Sequence, residues 1–152
     1  MIDIVNVTHS VQLAVAPVFF LTAVAGMTGA VAGRLARIID RARVVEERVR
    51  TSTDDASIER GLHELNYLRK RGRIANLSIG LLTLCGFLIG LTIIFLFIGQ
   101  AWAEQGQQMA VFSFLGGVVS FIAALAGFLW ETVLATHVLN FTVLETGRQM
   151  RH

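Results

Sequence analysis

The chain has 152 residues, of which 54% are hydrophobic and only 16% charged, and its mean hydropathy is +0.63. This composition excludes an ordinary soluble domain and indicates a membrane protein. Most charges lie between Arg34 and Arg73, where the basic excess has no interleaved aromatic pattern for stacking bases, so it does not predict nucleic acid binding.

Three uncharged tracts are long enough to cross a bilayer, because a spanning helix needs about 20 apolar residues. They cover about residues 10–33, 75–103 and 107–130. Their continuous apolar runs lack the strict alternation of barrel strands, and every backbone group in lipid must be satisfied internally. The sequence therefore predicts one all-α membrane domain with three transmembrane helices.

The distribution of basic residues predicts the orientation, since arginine and lysine concentrate on the cytoplasmic side of membrane helices. Ten basic residues flank the spans on one side: Arg34, Arg37, Arg41, Arg43, Arg69, Lys70, Arg71, Arg73, Arg148 and Arg151. The other side has Asp3, His9 and a short link at 104–107 with no basic residue. We expect the amino terminus outside and the carboxyl terminus inside, with Trp102 and Trp130 at the interfaces.

The segment 34–73 is predicted to form a cytoplasmic helical hairpin. Apolar residues alternate at spacings of three and four, as in a coiled coil, at Leu35, Ile38, Ala42, Val45 and Val49. Ser57 is the predicted cap of a second helix with apolar positions Ile58, Leu62, Leu65 and Leu68. Residues 131–147 continue an apolar stripe through Leu134, Val138, Phe141 and Leu144, which predicts a three-helix, coiled-coil-like stalk.

Gly61 destabilises the predicted second helix of the hairpin by about 1 kcal/mol relative to alanine, and nothing in the sequence explains why a glycine stands there.

Three stretches resemble a bacterial membrane family known as domain of unknown function 2721. They are VQLAVAPVFFL at 11–21, GRLARIIDRAR at 33–43 and ELNYLRKRGRIAN at 64–76, and Glu131 near the end of the third span fits the same likeness. The resemblance implies a multi-pass protein of the bacterial cytoplasmic (inner) membrane. It implies no activity and no catalytic or binding residue.

The outer half of the first span holds the polar candidates for a solute path, which are Asn6, His9, Gln12 and Pro17. If several copies of the first helix surround an axis, the polar side chains form an outer vestibule. The alternative is that Gln12 makes a hydrogen bond between helices of one protomer, worth about 0.6 kcal/mol on average in membranes. Pro17 removes one backbone hydrogen bond and either marks a packing kink or a functional bend.

Arg34, Arg37, Arg41 and Arg48 form a basic stripe on the cytoplasmic extension of the first helix. Around an axial pore they give rings of positive charge that attract anions or regulate cation flow. The alternative is that they pair with carboxylates and contact anionic lipid headgroups. Glu131, directly after Trp130, is the carboxylate that adjoins the end of the third span, and it serves either as an ion-pair partner of Arg34, Arg71 or Arg73 or as a coupling residue.

Small residues at spacings of about four allow helices to approach closely. They lie at Ala25, Gly29 and Gly33 on the first helix, Gly86 and Gly90 on the second, and Gly116, Ser120 and Ala124 on the third. The pattern does not distinguish packing within a protomer from packing between protomers.

The sequence gives no sign of catalysis. The four histidines are far apart, the one cysteine is Cys85, and no phosphate loop or nucleophile motif is present, so we expect no enzyme, no cofactor and no metal site. Two functions remain. The first is a homo-oligomeric channel for small ions, embedded among anionic lipids, with helix one near its axis. The second is a membrane scaffold or accessory subunit whose cytoplasmic stalk docks a partner.

Overall fold

The computed structural model describes residues 4–98 and 103–149, and within them the side chains of residues 12–97 and 106–135. Apart from the loop at 52–54, those residues are all helical: α1 spans Ile4–Thr51, α2 spans Asp55–Ile98 and α3 spans Ala103–Gln149. Each helix is long and apolar enough to cross a membrane. The predicted all-α class with three apolar helices is confirmed, and it indicates a multi-pass membrane protein. The orientation and the coiled-coil stalk stay predictions, and Asp3 and Trp102 lie outside the described residues.

The helix boundaries differ from the sequence expectation at two places. α3 begins at Ala103, so residues 104–107 belong to the helix rather than to a link. The cap of α2 is Asp54, not Ser57, because the Ser57 backbone N–H donates to Asp54 Oδ2 at 3.2 Å. Asp54 is the residue before the first helical position, which is where a carboxylate best satisfies the free N–H groups of a helix start. Ser57 instead donates its hydroxyl to the Asp54 carbonyl oxygen at 2.9 Å.

Buried positions recur every seven residues along each helix. On α1 they are Pro17, Val24, Val31, Ile38 and Val45, on α2 they include Leu68, Ala75, Leu82 and Ile89, and on α3 they are Ala110, Gly117, Ala124 and Glu131. A seven-residue repeat keeps one stripe of a helix facing its neighbours, as in coiled coils.

The chain divides into two compact units, each with a segment of all three helices. The first unit comprises Met1–Val31 and Ile79–Ala124. In it Phe20 of α1 contacts Phe121 of α3 with ring centroids 5.0 Å apart, and Ser120 of α3 donates a hydrogen bond to the Leu81 carbonyl oxygen of α2 at 2.7 Å. A methyl group added to Gly117 would lie 2.9 Å from Ile89 Cδ1, so this glycine allows α2 and α3 to approach closely.

The second unit comprises Ala32–Ser78 and Leu125–His152. Its core consists of the buried residues Ile38, Val45, Leu65 and Leu68, with the partly buried Ala42 and Val49 packed against them. Most of the apolar positions predicted for the hairpin are thus buried or partly buried. Leu62 is an exception, because half of it is exposed. The side chains of Val138, Phe141 and Leu144 lie outside the described residues.

Packing within the second unit explains why residue 61 is a glycine. A Cβ atom at this position would overlap Cγ2 of Val49. The absence of a side chain therefore lets α1 and α2 approach closely at this point.

Candidate functional site

The carboxylate of Glu131 is the most deeply buried charge in the described part of the chain, with 1% of its surface exposed. It lies on α3 at the last of the buried seven-residue positions. An isolated carboxylate at such a place would be costly, because burial removes it from water. The arrangement around it therefore has to supply positive charge.

Arg71 of α2 supplies the closest positive charge. Its Nε and Nη2 atoms both donate to Glu131 Oε1, at 3.0 and 2.6 Å. The guanidinium also lies over the Tyr67 ring, 5.7 Å from its centroid, one helical turn away on the same helix. The Tyr67 hydroxyl in turn donates to the carbonyl oxygen of Leu134 on α3 at 2.7 Å. Two consecutive turns of α2 thus bind α3 through polar contacts.

Arg34 of α1 lies close to the same carboxylate, so all three helices contribute a charged residue here. Its Nε atom lies 3.6 Å from Glu131 Oε2, which is an ion-pair distance but too long for a hydrogen bond. Its Nη1 atom donates to the Thr132 hydroxyl at 2.7 Å, and the guanidinium lies 5.1 Å from the centre of the Phe128 ring. Arg34 is therefore fixed by α3 on both sides of Glu131.

The two oxygens of Glu131 differ in their bonding. Oε1 accepts two hydrogen bonds from Arg71, whereas buried Oε2 has no hydrogen-bond partner among the described residues. Oε2 lies within ion-pair distance of Arg34 Nε. One carboxylate thus links one arginine from α1 and one from α2, and this cluster is called the Glu131 triad below.

A basic cleft of about 550 Å³ adjoins the triad in the same unit. It is lined by Arg34, Arg37, Ile38, Arg41, Leu68 and Arg71. Arg41 is paired with Glu64, since its Nε and Nη2 atoms lie 3.0 and 2.8 Å from Glu64 Oε1. Arg37 forms no hydrogen bond or ion pair with any described residue. The structure therefore brings together three of the four arginines of the predicted basic stripe, with Arg71 from α2, whereas Arg48 does not line the cleft.

The predicted path residues Gln12 and Pro17 belong to the first unit, whereas the Glu131 triad belongs to the second. Gln12 is exposed and Pro17 is buried, so the two residues face different sides of α1. The side chains of Asn6 and His9 lie outside the described residues. The polar outer vestibule and the functional bend at Pro17 stay predictions.

The small residues fall into two groups. Gly116 and Ser120 of α3 are used within the protomer, where Gly116 faces Leu88 and Ser120 bonds to α2. A methyl group at Gly86 would lie 3.9 Å from Leu21, an ordinary contact. By contrast, a methyl group at Gly29, Gly33 or Gly90 would meet no described atom within 4 Å apart from its own helix backbone, and Ala25 is exposed.

Gly26 has equally open surroundings, and it completes a pattern that the sequence analysis missed. Seven exposed residues of α1 follow one another at alternating spacings of three and four: Gln12, Val15, Phe19, Thr22, Gly26, Gly29 and Gly33. They are called the open α1 face below. Residues with this spacing share one side of a helix, and here that side lies opposite the buried stripe.

Sequence reasoning named Glu131, Arg34 and Arg71 but missed the residues that position them, Tyr67, Phe128 and Thr132. Tyr67 stands four residues before Arg71 and Phe128 four before Thr132, so each pair shares a helix face. That spacing was a readable signal. Arg73, the third candidate partner, is exposed. Within the described residues no three His, Cys, Asp or Glu side chains are placed to hold a metal ion.

The family model for a protein of unknown function (DUF2721) matches residues 14–141, which include the Glu131 triad and the open α1 face from its second residue, Val15, onward. No curated protein matches the chain. No solved structure matches it either. Because the family model covers most of the sequence, the chain belongs to the DUF2721 family.

Proposed function

We propose that this protein is a homo-oligomeric channel for small ions in the bacterial cytoplasmic membrane, with α1 of each protomer bordering the central path. The open α1 face carries the proposal. Glycine in a helix costs about 1 kcal/mol relative to alanine. A methyl group at Gly26, Gly29 or Gly33 would meet no described atom of another helix within 4 Å, so these three glycines need another use. Close helix approach between protomers is that use, because small residues favour it in membranes.

The open α1 face also has the composition of a narrow path. Gln12 supplies a polar group near one end, and Phe19, with 73% of its surface exposed, is the bulkiest side chain along it. A ring of phenylalanines around an axis would form a hydrophobic constriction of the kind that gates by loss of water. Arg37 follows Gly33 by four residues and continues the same side of α1 toward the basic cleft. Positive charge at that end favours anions.

The number of protomers is the first test. We expect native mass spectrometry of protein extracted with its surrounding lipid to show a closed ring of at least about four copies, since a monomer or dimer leaves no room for an axial path. Gly29→Leu should break the ring into smaller species without unfolding the protomer, because no described atom of another helix lies within 4 Å of a Cβ at this position. Gly80→Leu is the matched control, since Gly80 of α2 is equally open, and it should leave the ring intact. A monomeric wild-type protein would contradict the proposal.

Ion flux is the second test. In liposomes under varied voltage, membrane tension and pH, we expect the wild-type protein to conduct and Phe19→Ala to raise the conductance several-fold by widening the constriction. Phe112→Ala is the control, because Phe112 of α3 is also 73% exposed but lies outside the open α1 face. Equal conductance of the two variants would show that Phe19 does not line the path. A wild-type protein that never conducts would refute the channel proposal.

A scaffold or accessory subunit is the second candidate. It is favoured by large apolar side chains of the second unit that lie about half exposed, namely Ile39, Val44 and Leu62. Such side chains suit the docking of a partner helix. A monomeric or dimeric protein that carries a co-purifying partner would support this function over the channel.

A further inference from the structure

The basic cleft has more positive charge than its own carboxylates balance. Four arginines line or adjoin it, and two carboxylates pair with them, Glu131 and Glu64, which leaves a net charge of +2. Surplus charge on a lined concave surface attracts anions more strongly than the same charge on an open surface. The uncompensated positive charge of the cleft therefore favours the binding of an anion.

The hydrogen-bond donors of the cleft are also only partly used. Each guanidinium carries five N–H donors in a planar fork. Arg71 and Arg41 each use Nε and Nη2 on a carboxylate, and Nη1 of each makes no hydrogen bond to a described residue. All five donors of Arg37 are without a partner in the described part of the chain, although this side chain lines the cleft. Forked donors of this kind match the oxygens of a phosphate group.

The size and position of the cleft fit a phosphate ester. Its volume of about 550 Å³ is within the range of small-molecule pockets. Ile38 and Leu68 add an apolar wall beside the arginines. Arg34 is the first charged residue after the long uncharged tract of α1, so it stands where a membrane-spanning helix meets the headgroup layer.

We propose that Arg34, Arg37, Arg41 and Arg71 form a binding site for a phosphate ester, in which Arg37 is the principal ligand and the Glu131 triad holds two of the other arginines in place. The ester is the headgroup of an anionic phospholipid or a water-soluble phosphorylated molecule, since both present the same oxygens. The site belongs to one protomer and does not depend on the channel.

The test measures bound mass for each protomer. Wild-type protein in phosphatidylcholine nanodiscs containing phosphatidylglycerol is compared by native mass spectrometry with protein in phosphatidylcholine alone plus glycerol 3-phosphate. We expect one retained anion, and we expect Arg37→Gln to weaken its retention about fivefold, the usual effect of one basic residue near an anionic surface. Arg37→Lys should recover part of the loss because it restores the charge without the fork.

Arg43→Gln is the matched control, since Arg43 is an exposed arginine of the same helix that does not line the cleft. It should retain the anion as the wild-type protein does. Retention of phosphatidylglycerol alone identifies a lipid site, retention of glycerol 3-phosphate alone identifies a soluble ligand, and retention of both identifies a site that reads only the phosphate. Equal retention by Arg37→Gln and Arg43→Gln, or no retained anion on the wild-type protein, would overturn the proposal at any protomer count.

Discussion

Replacing Glu131 with glutamine should lower the free energy of unfolding by about 3 kcal/mol, the range expected when one partner of a buried ion pair is removed. Glutamine has nearly the same shape, so the change removes charge while keeping volume. Arg71 and Arg34 then face each other across a neutral group with 18% and 28% of their side-chain surfaces exposed. Their residual contact with water keeps the loss at the lower end of the range. Denaturant titration in detergent micelles, followed by tryptophan fluorescence, measures the change.

The matched control for Glu131→Gln is Glu64→Gln. Glu64 pairs with Arg41 at 2.8 Å, but 38% and 54% of the two side-chain surfaces are exposed. An exposed pair contributes about 0–1 kcal/mol, so the control should be nearly neutral. Equal losses in the two variants would show that burial does not strengthen the Glu131 triad. If Glu131→Gln leaves folding, assembly and ion flux all unchanged, a coupling role for Glu131 is excluded as well.

Replacing Gly61 with alanine should destabilise the protein by about 1–3 kcal/mol, the usual cost of overpacking a filled site. Helix propensity alone predicts the opposite, a gain of about 1 kcal/mol. The structure reverses the sign because the added Cβ overlaps Cγ2 of Val49, a β-branched side chain with little freedom to rotate away. The same denaturant titration measures the effect.

Gly72→Ala provides the control for Gly61→Ala. A methyl group at Gly72 lies 3.8 Å from Ile38 Cγ2 and 3.9 Å from Leu35 Cδ1, which are ordinary contacts. This variant should gain up to about 1 kcal/mol from helix propensity. Adding Val49→Ala to Gly61→Ala should recover part of the lost stability, because it removes the methyl group that is overlapped. A stabilised Gly61→Ala variant would show that α1 and α2 do not approach closely here.

Sequence reasoning on this protein succeeded where the property is local. The length and apolar character of residues 10–33, 75–103 and 107–130 are sufficient to predict three helices, because backbone groups in lipid must bond within their own segment. The apolar spacing from Leu35 to Val49 likewise predicted which side of α1 is buried in the second unit. The predicted N-terminal cap of α2 was wrong. Both Asp54 and Ser57 have side-chain oxygens that can cap a helix, and the choice depends on the residue at which α2 begins.

The pairing of charges was decided by the tertiary structure. Arg34, Arg71 and Arg73 were all candidate partners of Glu131, and their order in the sequence does not rank them. Two residues along a helix rotate a side chain by about 200°, so Arg71 and Arg73 point to nearly opposite sides and only one of them faces α3. The structure selects Arg71, and it adds Arg34 from α1.

The use of each glycine was decided in the same way. In the sequence, Gly61, Gly29 and Gly117 are three similar helix-weakening residues. In the structure, Gly117 leaves space for the Ile89 side chain and Gly61 leaves space for the Val49 side chain. A methyl group at Gly29 would meet no described atom of another helix within 4 Å. The sequence by itself determined which segments are helical and apolar, because those are properties of consecutive residues. Only the tertiary structure decided what each small or charged side chain faces, because that depends on the register of one helix against another.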